Sequence, residues 1–389
     1  MPKRTVVSYV FLAVSLCSFT ALCVLQRAPM ADLLVYRAEG AAVSHGGDLY
    51  GLTVTEWRLP ATYPPFAAIL FVPAARVPVP VLKAAFLAGN ALLLAVLVAL
   101  SARLAGHRPS PARLRTATAL ALWLEPVFQT VLFGQVNLAI ACLVLWDLTR
   151  PPGARARGLA VGLATGFKLT PAVFAVHLLL RGHRREAATA AAGFAGTVAL
   201  GLLVLPAASA DFWTRRLFET GRVGKAWIVD NQSLRGLVDR ALHGAAPDPA
   251  WLLPALAVGA AGLWLAARAR EERHGVLMAA GTALLVSPIS WTHHWVWCVP
   301  LLAVLLAEGQ VRLTVLTAAL FTARTMWLLP HEGDLDLRLR WWQQPLAAPY
   351  PLLALALLAG AAVPGRTAGR PPDPQPAPSA RSSSASMIR

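Results

Sequence analysis

Asp32, Tyr36 and Glu39 lie in the stretch Ala31-Asp32-Leu33-Leu34-Val35-Tyr36-Arg37-Ala38-Glu39-Gly40. Their spacing puts all three on one face if the stretch is helical. A carboxylate there can take a proton from an attacking hydroxyl, with polar neighbours to hold the substrate. The competing reading makes Asp32 a helix N-cap. Tyr63-Pro64-Pro65-Phe66 closes the same loop. A second cluster runs from Asp211-Phe212-Trp213 to Asn231-Gln232-Ser233-Leu234-Arg235. Its amide and basic groups suit a phosphate or sugar hydroxyls, and its aromatic residues equally suit an interfacial amphipathic helix. A third reads Ser287-Pro288-Ile289-Ser290-Trp291-Thr292-His293-His294-Trp295. Neighbouring helical side chains point about a hundred degrees apart, so His293 and His294 chelate poorly and no metal is expected. Trp291 stacking on a sugar beside a hydrogen-bonding histidine is one reading, and a plain aromatic belt is the other.

The elements that must carry these clusters are apolar. The chain is 57% hydrophobic and 14% charged, with mean hydropathy +0.56, which excludes a soluble domain. Its loops alternate between two kinds. One set comprises the N-terminus, Arg103 to Arg115, Arg150 to Arg157, Arg181 to Arg185, Arg268 to Arg273, Arg312 and the tail, and carries 20 Lys/Arg against 6 Asp/Glu. The other carries 13 against 12. Basic loops resist translocation, so the first set is cytoplasmic and the polar clusters lie outside. The net charge of +16 is then topogenic and favours anionic lipid, so nucleic acid is not a partner. Cys17, Cys23, Cys142 and Cys298 have no paired spacing and build neither a disulfide framework nor a metal site.

A crossing helix needs about 20 apolar residues. Thr5 to Leu25 qualifies and reads as a retained anchor rather than a cleaved signal. Further spans are expected at Val81 to Ser101, Thr116 to Phe133, Ala187 to Leu205, Trp251 to Ala267, Val276 to Ile289, Trp295 to Ala307, Leu313 to Leu329 and Leu346 to Val363. Asn137 to Trp146 is short. Gly158 to Leu180 as one helix would put Arg181 to Arg185 outside. A break at Lys168-Leu169-Thr170-Pro171 makes two short helices and restores the charge rule, and Pro171 favours it. About twelve spans result, with both termini inside. The reading is an all-α polytopic membrane domain over 1–363, with outer loops at 26–80 and 206–250, and a disordered tail at 364–389. Unpaired backbone at membrane depth must face a cavity, so Gly134-Gln135-Val136-Asn137 and Lys168 to Pro171 border a site. Glu125 is functional or paired at its depth, with Arg324 a conceivable partner. His331 to Gln344 matches nothing familiar.

Six motifs in order carry a resemblance. Asp32-Leu33-x-Val35-Tyr36, Tyr63-Pro64-Pro65-Phe66, Gly134-Gln135-Val136-Asn137, Lys168-Leu169-Thr170-Pro171, Asn231-Gln232-Ser233-Leu234-Arg235-Gly236 and Ser287 to His294 resemble glycosyltransferase family 87. That family comprises actinobacterial alpha-1,2-mannosyltransferases that use polyprenyl-phosphate-mannose. The resemblance spans about residues 5 to 363. It implies the multispan GT-C architecture and an essential aspartate in the first outer loop, a role that falls on Asp32. It implies a polyprenyl-phosphate sugar donor and a glycan or glycolipid acceptor at the outer face of the plasma membrane.

The implied donor is beta-linked and the product alpha-linked, so one inverting displacement suffices. A carboxylate deprotonates the acceptor while the phosphate leaves as an anion, needing positive charge from Lys168 or Arg235 rather than an acid. No cofactor is expected, and no metal. Tyr36, Arg37, Glu39, Tyr63, Gln135, Asn137, Lys168, Asn231, Gln232, Arg235, Trp291, His293 and His294 are the candidate substrate-binding residues. The rival reading is a transporter or flippase of lipid-linked sugars, which would also use broken helices and buried charge.

Overall fold

The computed structural model describes residues 3–26, 28–245 and 248–363; the tail expected to be disordered lies outside these. The chain is helical. In order, α1 spans Lys3–Leu25, α2 Ala31–His45, α3 Pro65–Leu70, α4 Val72–Ala75, α5 Val79–Leu104, α6 Pro111–Ala121, α7 Glu125–Phe133, α8 Asn137–Leu148, α9 Leu159–Phe167 and α10 Ala172–Leu180. There follow α11 Arg184–Val204, α12 Pro206–Thr214, α13 Leu234–Ala241, α14 Leu252–Arg268, α15 Glu272–Val286, α16 Cys298–Ala307, α17 Val311–Ala323, α18 Gln344–Ala347 and α19 Pro349–Ala362. One departure from an all-helical chain is a small hairpin in the first large loop. Thr53–Val54 pairs antiparallel with Leu59–Pro60, and the positive φ of Thr55 and Arg58 turns the chain between them.

By length and composition α1, α5 and α11 can cross a membrane. Two further apolar helix pairs bend sharply at a short break, α6 with α7 by 75° and Trp341–Ala347 with α19 by 82°. The second helix of each pair opens with a proline in its first turn. Proline is tolerated there but cannot continue the helix before it. Val7, Leu92 and Leu203 are 65%, 68% and 82% exposed on the three long helices. Side chains of this kind belong against acyl chains, and the chain is a membrane protein.

The stretch from Gly158 to Leu180 is indeed two short helices. Arg157 precedes α9 and Arg181 follows α10, yet both reach Glu272, at 3.7 and 3.1 Å. The pair is therefore a hairpin with its ends together and Lys168 at its tip. Gly158, Gly162 and Gly166 form a small-residue stripe along α9 against α11. An added Cβ at Gly162 would lie 2.2 Å from the Ala190 carbonyl, and one at Gly166 would lie 2.0 Å from the Thr197 hydroxyl. Close backbone approach of this kind replaces the hydrophobic driving force that helices lack in lipid. The Arg150, Arg184 and Glu272 loops gather at one end. Gly153 donates to the Glu186 carboxylate at 2.9 Å, and Arg157 lies 3.8 Å from that carboxylate. The polar loops gather at the other.

Candidate active site

Asp32 is the second residue of α2. The cap position belongs to Met30, which makes no side-chain cap, so the capping reading does not apply. Asp32 instead lines a cavity of about 290 Å³ together with Tyr36, Tyr63, Gln135, Lys168, Trp291 and His294. Gln135 is delivered there by Gly134. With φ of 70° this glycine ends α7 in the left-handed region, and an added Cβ would lie 2.7 Å from the Leu33 Cβ. Both tyrosine hydroxyls donate to Gln135 Oε1, Tyr36 at 2.9 Å and Tyr63 at 3.1 Å. That fixes the amide beside Asp32, whose carboxyl it holds lower than burial alone would. Burial pushes the Asp32 carboxyl up to about 6, while the Gln135 hydrogen bond and the Lys168 charge oppose the rise. A carboxyl in this range is poised to accept a proton near neutral pH.

Lys168 projects from the extended residue that ends α9. Its Nζ donates to His294 Nε2 at 2.8 Å and to Asn137 Oδ1 at 3.2 Å. An ammonium has no acceptor, so His294 carries its proton on Nδ1. Asn137 is held in turn, since its Nδ2 donates to the His293 carbonyl at 3.0 Å. Lys168 also lies 5.7 Å from the Tyr63 ring centroid. A smaller annex of about 40 Å³ shares Lys168, Thr170 and His294 with the main cavity. Its other walls are mainly apolar and include Ile140, Ala141, Phe174, Leu284 and Val296.

Other candidates stand behind these walls rather than in them. Asn231 is fully buried and spends its side chain on Ala226, Pro288 and Ser290 backbone groups. Gln232 bonds the Val229 and Ala347 carbonyls and the Tyr350 amide. Arg235 donates to Thr220 at 2.9 Å and lies over Trp251. These three brace the loop, because a polar side chain buried in protein must find its partners there. Arg37 donates to the Val77 carbonyl at 3.3 Å. Glu39 is 1% exposed on α2, beyond the cavity lining. Its carboxyl is pushed up to about 8 by burial, with the Thr62 amide opposing. The His293 ring packs against Phe133 and His294. Glu125 is held by Trp327 and Tyr350 at 2.9 and 2.8 Å, while Arg324 stacks on Phe128 at 3.8 Å.

Some residues of the site escaped the sequence reading. Asp230 accepts from both the amide and the hydroxyl of Thr292, at 3.0 and 2.7 Å, and its charge acts on Asp32. It adjoins the Asn231 motif, and nothing in its local sequence marks it, since its partner Thr292 lies far along the chain. Arg216, Glu219 and Thr220 line the cavity from the loop after α12. Their run of mixed charge looks like any solvated loop.

A helical membrane protein whose polar loops enclose a carboxylate and a lysine in one cavity has the parts of a membrane-bound transferase. Residues 61–288 match Glycosyltransferase family 87. The chain is 35% identical over 362 residues to a polyprenol-phosphate-mannose-dependent alpha-(1-2)-phosphatidylinositol mannoside mannosyltransferase of Mycobacterium tuberculosis, covering 84% of this chain and 83% of that one. It is 38% identical over 291 residues to a polyprenol-phosphate-mannose-dependent alpha-(1-2)-phosphatidylinositol pentamannoside mannosyltransferase of the same species, covering 72% and 67%. A Mycolicibacterium smegmatis phosphatidylinositol mannoside mannosyltransferase is 34% identical over 364 residues, covering 84% and 82%. No solved structure matches at a significant level. The chain belongs to glycosyltransferase family 87, and it is a glycosyltransferase.

Proposed function

We propose that the chain transfers mannose from polyprenyl-phosphate-mannose to a phosphatidylinositol-mannoside-type glycolipid on the outer face of the plasma membrane. The transfer inverts the anomeric centre and makes an alpha-1,2 linkage. About twelve crossings, several of them short or bent, hold both termini in the cytoplasm. The observation that carries this reading is that Asp32 and Lys168 line one cavity, since one displacement needs a base on the acceptor side and a cation on the leaving-group side. The donor and acceptor follow the names of the relatives.

In this reading Asp32 removes the proton of the acceptor hydroxyl as its oxygen attacks the anomeric carbon. The sugar–phosphate bond breaks, and the polyprenyl phosphate departs as an anion that needs no acid. Lys168 neutralises it. Asn137 and His294 hold the ammonium in place without adding charge of their own. Trp291 and Tyr63, both on the cavity wall, offer faces for sugar rings.

The test is incubation of membranes bearing the chain with labelled polyprenyl-phosphate-mannose. Labelled lipid sensitive to an alpha-1,2-mannosidase is the expected product. Donor moved across the bilayer with no new glycoside would favour the flippase reading and overturn this one.

A further inference from the structure

The segment from His331 to Ala347 has no part in the chemistry above, yet its shape is unusual. A helix over Trp341–Ala347 turns 82° away from the apolar α19. If α19 crosses the bilayer, a helix at that angle runs along the membrane surface. Its solvent face is wrong for water. Trp341 is 85% exposed, Trp342 49% and Leu346 40%, and Leu328 beside them is 80% exposed. Arg338 and Arg340 are exposed just before the helix. Tryptophan and leucine on one side with arginine nearby is the composition of an element lying in the headgroup layer. Tryptophan prefers that depth because its ring is apolar and its N–H is polar. Each arginine near the surface adds attraction for anionic lipid.

The opposite face of the segment is tied to the active-site loop. Asp336 accepts from the Val229 amide at 2.8 Å, and Asp334 accepts from Lys225 and Trp227 at 2.6 and 3.0 Å. The Ala347 carbonyl accepts from Gln232 at 2.7 Å, and Gln344 donates to the Arg240 carbonyl at 3.2 Å. The loop they hold continues through Asp230, which bonds Thr292, and Asn231, which bonds Ser290. Trp291, between those two residues, lines the cavity. A clamp on 225–232 thus reaches the Trp291 to His294 wall through a chain of hydrogen bonds.

We propose that residues 338–347 form an interfacial strap, seated among anionic headgroups of the leaflet facing the active site, and that this seating braces the 225–232 loop behind Trp291. The proposal rests on the chain being a membrane protein; its first test does not need the mannosyl reading.

Two single-cysteine probes, Trp341→Cys and Leu346→Cys in a chain without Cys17, Cys23, Cys142 and Cys298, are labelled with an environment-sensitive fluorophore. The full chain sits in nanodiscs of phosphatidylcholine with phosphatidylglycerol. Strong quenching by headgroup-proximal spin labels and weak quenching by iodide are expected at both positions. Spin-labelled phosphatidylglycerol should outcompete spin-labelled phosphatidylcholine, by roughly fivefold per arginine. That preference should collapse towards one in Arg338→Ala/Arg340→Ala and at high salt. Iodide quenching equal to that at an Asp48→Cys control would overturn the seating. So would protection from both quenchers, which would mean a protein partner or second copy covers the strap. The second measurement is transfer by the wild type in bilayers with and without phosphatidylglycerol. A several-fold rise that the double arginine variant loses supports the bracing; no lipid dependence in the wild type overturns it. Loss of all transfer with intact quenching would fault the proposed reaction and spare the strap.

Discussion

Asp32 and Asp147 are both largely withdrawn from water, and they sit at opposite ends of the molecule. Asp147 is fully buried, and its carboxylate is spent. Oδ2 accepts from the amides of Gly158, Ala160 and Val161 at 2.9 to 3.2 Å, and Oδ1 faces Arg150 at 3.3 Å. Those amides open α9, so Asp147 anchors a helix start whose positive dipole end it neutralises. Asp32 stands in a helix first turn too, but beside a cavity of about 290 Å³ with Lys168 on the same wall. Burial of a carboxylate therefore does not separate a scaffold residue from a candidate base. Free acceptor capacity facing a space large enough for a substrate does.

The largest expected effects test that contrast directly. Asp32→Asn keeps the shape and removes the basicity, so it should insert and fold normally and lose on the order of a hundred- to ten-thousand-fold in turnover. Asp147→Asn should do the opposite. Turnover per folded molecule should stay within about twofold, while unfolding in detergent comes earlier by about 1–3 kcal/mol, the cost of disturbing buried hydrogen bonds to a charge. Labelled-mannose transfer and thermal unfolding on both variants decide it. Retention of more than about a tenth of the activity in Asp32→Asn would send the search for the base elsewhere.

Lys168→Ala comes next. Loss of one donor that stabilises developing negative charge typically costs about a hundred- to a thousand-fold, and here it should appear in kcat/KM for the lipid donor. Lys168→Arg should recover part of it, since the charge returns in a fork too broad for the contacts to Asn137 and His294. Equal losses in both variants would make Lys168 a shape-critical residue rather than a charge.

Much of this was legible in the sequence because membranes constrain chains strongly. The sorted charges and Pro171 together demanded two helices between Gly158 and Leu180, and Arg157 meeting Glu272 beside Arg181 is the result. Asp32, Tyr36, Tyr63, Gln135, Lys168, Trp291 and His294 all reach one cavity. Asn231, Gln232 and Arg235 lie behind the cavity wall, a placement the sequence does not disclose because a motif rich in amides looks alike whether it binds a sugar or braces a loop. Only the partners distinguish the two, and those lie dozens of residues away, as with Gln232 and Ala347. The role of Asp230 was hidden for the same reason. Its partner Thr292 and its influence on Asp32 are tertiary facts.

The pH profile gives a smaller but sharper test. A base works deprotonated. With the Asp32 carboxyl raised to about 6 by burial and the Lys168 ammonium lowered to about 7 by burial, activity should peak between the two and decline above about pH 7 as Lys168 loses its charge. It should fall about tenfold per pH unit below about pH 6. Gln135 lowers that carboxyl by hydrogen bonding it, so Gln135→Leu should move the acid limb to higher pH. Tyr36→Phe and Tyr63→Phe each remove one hydroxyl that aims the Gln135 amide, and should move it the same way by less. An acid limb that stays put in Gln135→Leu, with kcat/KM uniformly lowered, would mean that Gln135 binds substrate and does not tune the base.

The smallest effect is expected at Glu39, which shares the α2 face with Asp32 but not its role. Its carboxyl is raised to about 8 by burial, with the Asp32 charge adding to the rise. At pH 7 it is therefore mostly protonated, and a protonated carboxyl is closely imitated by an amide. Glu39→Gln should leave transfer within about threefold at that pH, far from the range for removing a base. The neutral form binds in folding without cost, while the ionised form is disfavoured, so the acid's contribution to stability holds below the unfolded value of about 4.3 and declines above it. Between about pH 4.3 and pH 8 the wild type should accordingly lose stability that Glu39→Gln, which cannot ionise, keeps, and above pH 8 the difference should level off. Melting temperatures of both proteins at pH 6 and pH 9 decide the matter. A tenfold loss of transfer at pH 7, with those melting temperatures unchanged relative to each other, would instead make Glu39 an ionised participant in the same site as Asp32.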